Sequence, residues 1–223
     1  RLASNPTPGP ILDASLRWHD NKPAALKFKI TNNWPQEAEY LTEIRKSVGP
    51  DMPIRLDANQ KLSLTGAINF GKRVVHLNIA YFEEPLKDPS QIPEFVQATG
   101  IPVALDESLS TTYHCHPGLD PGSSTRPRLP EGITTLALKP FMMPDLKTIF
   151  YWIDLANEQN LDIAICSCFE SSLGLSWLVM LAAIASPKLL PAGLSTYSWF
   201  ENNFFEPRFT TSESLKQIKN FRI

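Results

Sequence analysis

A chain of 223 residues, 43% of them hydrophobic, holds enough apolar material for one sizeable core and suits a single domain over 1–223. Its formal net charge of -2 gives no electrostatic basis for binding nucleic acid or an acidic membrane surface. The longest apolar stretch, Leu173 to Ala185, is too short to span a bilayer, and three cysteines do not make a secreted disulfide framework, so a reduced, cytoplasmic protein is expected.

Residues 1–24 are rich in Pro, Asn and Asp and are expected to include a first strand near Arg1–Asn5. The next strand is LKFKI, Leu26–Ile30. Asn33-Trp34-Pro35 then marks a helix start, behind which Trp34, Ala38, Leu41, Ile44 and Val48 recur at helical spacing. IRLD, ending at Asp57, is a strand, and Leu64 to Val75 a helix. AYFE, ending at Glu83, precedes a Pro-bounded helix near Ile92–Ala98, and VALD ends at Asp106. His114 to Pro130 carries Pro117, Pro121, Pro127, Pro130, Gly118 and Gly122, too many breakers for a regular helix, and reads as an inserted surface loop. The local run His114-Cys115-His116 is read as incidental, because zinc sites use wider ligand spacings. LALK then ends at Lys139, and Leu146, Ile149, Phe150, Ile153 and Ala156 give an amphipathic helix. Leu161 to Cys166 is a further strand, and Cys166 and Cys168, two residues apart in an apparently extended run, are expected to share a face. Leu173 to Ala185 reads as a buried helix, and the last strand lies around Leu189–Leu194.

Five of these apolar runs carry charge at or near their C-terminal end, in the order base, acid, acid, acid, base. Continuous apolar runs are what strands covered on both faces look like. The steps from Lys29 to Asp57, Glu83 and Asp106 are 28, 26 and 23 residues, the length of a βα unit, and the step of 33 to Lys139 accommodates the insertion. In a (β/α) barrel the C-terminal strand ends form the mouth of the active site. A charge there is expected at the barrel's edge, outside the packed core. Three carboxylates at one mouth repel each other unless a cation sits between them, so a divalent metal flanked by lysines is expected. Lys27 lies on the same strand face as Lys29, and a neighbouring ammonium is expected to lower the pKa of Lys29 towards that of a useful base.

KFK, LDAN, FEEP, LDES and LKP, in this order and spacing, resemble the barrel domain of the enolase superfamily. CFESSLGL, Cys168–Leu175, is similar to its o-succinylbenzoate synthase branch, a carbon–oxygen lyase family of menaquinone biosynthesis. The resemblance runs from about Ala25 to Leu194 and implies a (β/α)7β-like barrel. It implies that Asp57, Glu83 and Asp106 bind Mg2+, with Mn2+ as a possible substitute. It also implies that Lys29 is the acid/base residue beside Lys27, and that Lys139 stabilises an enolate from the opposite side. Asn59, Cys166, Ser167, Ser171 and Gly193 match positions on the substrate side. The implied partner is a small carboxylate, 2-succinyl-6-hydroxy-2,4-cyclohexadiene-1-carboxylate. Ser171 and Ser172 precede the helix near Leu173, where they can cap it and its N-terminus can attract a carboxylate. Strand alternation points Glu84 away from Glu83, as an outer-shell or surface partner.

Dipeptide epimerases and N-acylamino acid racemases share the lysine–metal–lysine plan, and in those families Lys139 has to be a true base. Three departures stand against the pattern. Cys166 and Cys168 occupy places where serines are expected, and the 114–130 segment replaces most of the helix after the Asp106 strand. The superfamily's N-terminal capping domain has no room before Lys27 and is expected to be missing, which keeps open a truncated barrel without turnover.

Overall fold

Alternation inside the strand segments decides which face of the sheet each residue takes. Phe82 packs edge-on against Phe70 and Phe95, with ring centroids 5.9 and 6.0 Å apart, and this marks its side as the helix-covered one. By the two-residue period, Leu26, Phe28, Leu56, Val103, Leu105, Leu136, Leu138, Ile163 and Ile165 face the same way, and all are buried in one core. The opposite, concave face carries Lys27, Lys29, Arg55, Asp57, Tyr81, Glu83 and Thr135. β3, β5 and most of β6 are buried on both faces, as expected, although the concave face mixes small apolar residues such as Ala104, Ala137 and Ala164 with the polar and charged ones.

The computed structural model describes residues 12–16, 23–31, 33–113, 128–185 and 190–194. Seven strands form one sheet in chain order: β1 (Leu12–Leu16), β2 (Pro23–Lys29), β3 (Ile54–Asp57), β4 (Ile79–Glu83), β5 (Val103–Leu105), β6 (Ile133–Leu138) and β7 (Asp162–Ile165). β1 runs antiparallel to β2, and every later pairing is parallel. The six parallel strands curl into a half-barrel of the (β/α) type. A parallel bridge from Cys166 to Gly193 continues the sheet beyond β7, where the last strand was expected. The strand expected near Arg1–Asn5 lies outside the described residues. β1 was not foreseen: Leu12, Ala14 and Leu16 alternate as a strand should, but they follow Pro6, Pro8 and Pro10, which mask the signal.

The crossovers are α1 (Trp34–Val48), α2 (Leu64–Val74), α3 (Ile92–Thr99), α4 (Glu107–Thr111), α5 (Leu146–Glu158) and, after β7, α6 (Ser172–Ala185). Local chemistry sets their starts. Pro35 sits in the first turn of α1, the Ser63 side chain accepts from the Gly66 amide to cap α2, and Asp145 accepts from the Thr148 amide to cap α5. At Gly66 a Cβ would stand 2.5 Å from the Trp34 ring, so only glycine lets α1 and α2 approach this closely.

The one-turn α4 follows the Asp106 strand and ends before the breaker-rich segment begins. Residues 114–127 of that segment, including His114, Cys115 and His116, lie outside the described residues. Its described end departs from a surface loop: Leu129 is buried in the core, and its amide donates to Gln159. Among the described residues, no helix is long and apolar enough to cross a membrane.

Candidate active site

The strand register turns the order of charges along the chain into an order in space. Lys29 pairs with Asp57, and Asp57 with Glu83. Glu83 is level with Ala104, so Asp106 stands two residues further towards the strand ends. Lys139 follows β6 directly. Because the sheet runs β2 to β6 without interruption, the acids occupy three neighbouring strands with lysines on either side.

The ammonium groups point into this row. Lys27 Nζ lies 2.9 Å from Asp57 Oδ2 and 2.8 Å from Glu83 Oε2, bridging the two acids. Lys29 Nζ donates to Asp57 Oδ2 at 2.6 Å and to Asn59 Oδ1 at 2.7 Å. Lys139 pairs with Asp106, and more distantly with Glu107 at 3.7 Å. Asp57 and Glu83 are fully buried, but on the concave face of the sheet, opposite the side that packs the apolar core. They can be buried because each has an ammonium partner; an unpaired buried carboxylate would be costly.

Electrostatics follows from these contacts. Burial opposes the charge on Lys27, but Glu83 and Asp57 outweigh it and hold its ammonium well above the ordinary lysine range. Burial likewise opposes the charge on Asp57, yet Lys27 and Lys29 keep its carboxyl below the usual value. Asp106 goes the other way. Burial, and then the charge of Glu83, push it up to about 8, and Lys139 offsets this only in part. Lys139 itself is raised, because Asp106 and Glu107 outweigh the effect of burial.

The substrate-side positions are placed as follows. The Asn59 amide nitrogen donates to Glu107 Oε1 at 3.0 Å, so Asn59 links Lys29 to Glu107. Cys166 bridges to Gly193, and burial pushes its thiol up to about 12. A Cβ on Gly193 would lie 3.2 Å from the Cys166 sulfur. The Ser167 hydroxyl donates to the Gly193 carbonyl at 3.0 Å, which ties the end of β7 to the neighbouring segment. Ser171 is exposed, and its carbonyl accepts from the Leu175 amide at the start of α6, whereas Ser172 is buried. Cys168 lies past the end of β7, so it does not share a strand face with Cys166 as expected. Both thiols are free.

Glu84, expected as an outer-shell or surface partner, takes the first of these places: it is 1% exposed and accepts from the Asp106 amide. Two other residues of the site were missed by sequence reasoning. Glu107 contacts both Asn59 and Lys139, and two acids in a row at a strand end was its only signal. Arg55 donates to the Pro191 carbonyl at 2.9 Å and stacks over Tyr81 below the charged row, a pairing across 136 residues that no local pattern announces.

Hard carboxylate oxygens suit a divalent cation such as Mg2+. Glu83 and Asp106 each have one ammonium partner within 4 Å among the described residues, Lys27 and Lys139, and Lys27 is shared with Asp57. The donor set therefore fits such an ion. Among the described residues, no three acids, histidines or cysteines are grouped to hold a metal as they stand. Their present contacts are to ammonium groups, and coordination by all three requires the carboxylates to turn from the lysines.

The chain is thus a half-barrel with acids and lysines gathered at its C-terminal strand ends. The family model described as Enolase C-terminal domain-like matches residues 13–126, and the chain belongs to that family. It is 32% identical over 161 residues to o-succinylbenzoate synthase of Yersinia pseudotuberculosis serotype O:1b (strain IP 31758), covering 71% of this chain and 46% of that protein. It is 28% identical over 196 residues to Protein PHYLLO, chloroplastic, of Arabidopsis thaliana, covering 81% of this chain and 11% of that protein. The chain thus spans less than half the length of these curated relatives. Among solved structures it is similar to MenC from Desulfotalea psychrophila LSv54, with a TM-score of 0.64 and 26% identity over 82% of this chain and 49% of that one. The Dipeptide Epimerase from Cytophaga hutchinsonii, complexed with Mg and dipeptide D-Ala-L-Val, superposes with a TM-score of 0.65 at 22% identity over 79% of this chain and 46% of that one, a likeness of fold.

Proposed function

We propose that this chain is the barrel part of a metal-dependent lyase that dehydrates 2-succinyl-6-hydroxy-2,4-cyclohexadiene-1-carboxylate to o-succinylbenzoate. The observation that carries the reading is the row of Asp57, Glu83 and Asp106 on consecutive strands between Lys29 and Lys139. The similarity to o-succinylbenzoate synthases supports it.

Asp57, Glu83 and Asp106 would hold Mg2+, which supplies positive charge against an enediolate. Lys29, the most exposed of the three lysines, would take the α-proton of the substrate carboxylate. The C–H electron pair enters the enediolate, then forms the ring double bond as the C–O bond breaks. Lys29 would return its proton to the departing hydroxide, giving water and an aromatic ring. Lys27, bound between two acids, stays cationic and orders the row. Lys139 would stabilise the enediolate by charge.

A second reading, epimerisation of an amino-acid derivative, rests on Lys139 standing at the far end of the row, where a second base would be needed. Turnover of the cyclohexadiene carboxylate by this chain, with and without Mg2+, tests the first reading. Solvent deuterium exchange separates the two. In the synthase, Lys29→Ala abolishes both turnover and α-proton exchange. Retained exchange of opposite enantiomers of an amino-acid derivative by Lys29→Ala and Lys139→Ala would overturn the synthase in favour of the epimerase.

A further inference from the structure

β5 is three residues long, and its ladder with β4 has only two register pairs, Phe82 with Val103 and Glu83 with Ala104. Asp106 lies beyond that ladder, and so does its amide, which in a longer sheet would bond to β4. In this chain it donates instead to the side chain of Glu84, at 2.7 Å to Oε1. The same oxygen accepts from the Ser108 amide at 2.7 Å. Oε2 accepts from the Ser108 hydroxyl at 2.7 Å and from the Gln60 side-chain amide at 3.1 Å. The Gln60 amide also donates to Ser108 Oγ at 2.9 Å, closing a triangle over three strand ends.

The main chain of Glu84 is stitched to both sides as well. Its amide donates to the Ala104 carbonyl at 3.0 Å, and its carbonyl accepts from the Gln60 amide at 2.8 Å. Glu84 has a φ of 41° and Gln60 one of 59°, left-handed values unfavourable for residues with a Cβ. Two such residues meeting at one carboxylate, itself 1% exposed, is a costly arrangement. A fold that needed only to fill space here could use an apolar side chain. What the carboxylate adds is acceptors for two amides in a loop that has left the sheet.

We propose that Glu84 is a positioning residue that fixes the backbone of Asp106, and through Ser108 the start of α4, so that the Asp106 carboxylate is aimed into the site. This rests on Asp106 being a cation ligand. Groups that hold a ligand in place commonly change metal affinity by about 10–100-fold when removed.

The test uses the full chain, Mn2+ as the probe, and amide hydrogen exchange as a readout that needs no metal. Mn2+ binding is followed by the electron paramagnetic resonance of the free ion. Glu84→Ala is expected to weaken Mn2+ binding by at least about tenfold and to speed exchange at Asp106 and Ser108 while β2, β3 and β6 stay protected. Glu84→Gln keeps one carbonyl oxygen for the two amides but sets its NH2 against the Gln60 donor, so its loss is smaller than that of Glu84→Ala. If Glu84→Ala does not fold, Glu84→Gln and Ser108→Ala decide. Ser108→Ala keeps both amide bonds and should leave Mn2+ binding near that of the parent chain, while Glu84→Gln should weaken it. Unchanged Mn2+ affinity and unchanged exchange in the Glu84 variants would overturn the proposal. So would faster exchange spread evenly over the whole chain, which is a general packing role. If the parent chain binds no Mn2+, the cation reading of Asp106 fails. The exchange data alone then settle whether Glu84 fixes that loop: selective loss of protection supports it, and none overturns it.

Discussion

Removing the ammonium of Lys27 tests the buried row most directly. In the absence of metal, Lys27→Met leaves Asp57 and Glu83, both fully buried, with one bridging cation fewer. Met preserves most of the stem volume, so packing changes little. Asp57 keeps Lys29 as a partner, whereas Glu83 has no other ammonium within 4 Å among the described residues. Breaking a buried pair from one side costs about 3–5 kcal/mol, and Lys27 is itself only 16% exposed, so the loss should fall in that range. The control is Lys46→Met, which removes an exposed pair with Glu43 and should cost about 0–1 kcal/mol. Urea unfolding of both variants against the parent, in buffer containing a chelator, reads the difference. The sign with pH is also fixed. In the parent, Asp57 is held below its ordinary value, so its contribution is present above about pH 4 and is lost as pH falls through the lower folded value. In Lys27→Met the buried Glu83 carboxylate has lost its ammonium partner, so the variant's deficit should shrink as acid neutralises it. Equal stability of parent and Lys27→Met near neutral pH would refute the idea that this ammonium is what permits two buried acids.

Two further changes probe the scaffold that carries the row. Phe82→Ala empties a fully buried site between Phe70 and Phe95 and should cost about 3–5 kcal/mol by chemical denaturation; a loss under about 1 kcal/mol would mean that the helices do not close on β4 there. Asp145→Ala removes the acceptor for the Thr148 amide and hydroxyl at the start of α5 and should cost about 1 kcal/mol, seen as a small fall in the urea midpoint with an unchanged slope.

The charged row was readable because barrel strands place their last residues at one rim, and the spacing of the acids counted out the βα units. Faces were harder. Reading IRLD and AYFE as wholly apolar overlooked Arg55 and Tyr81, which line the concave face below Asp57 and Glu83. For Glu84 the choice between an outer-shell and a surface place was not legible, for a definite reason. Alternation holds only while the backbone stays extended, and β4 ends at Glu83. The left-handed turn at Glu84 breaks the period and leaves its carboxylate on neighbours from two other strand ends. Leu129 escaped notice for the opposite reason: one apolar residue beside several prolines has no period, yet it joins the core. Arg55 and Pro191 are brought together only by the curl of the sheet.

The distribution of partners along the row shows where its electrostatics are unbalanced. Asp57 has two ammonium groups, and Glu83 shares one of them. Glu84 has no ammonium partner within 4 Å among the described residues, and its charge is met by two backbone amides, a hydroxyl and an amide side chain. Such dipoles stabilise a carboxylate without cancelling its charge. Asp106 has Lys139 alone, while Glu83 and Glu107 both repel it. The surplus of negative charge therefore lies towards Asp106 and not towards Lys29. That asymmetry suits the chemistry proposed. A base needs a partner that can release it, and Lys29 at the exposed end is held by one carboxylate and one neutral amide. An electrostatic anchor needs the reverse, and the buried acids at the other end keep a strong demand for positive charge that Lys139 meets only in part.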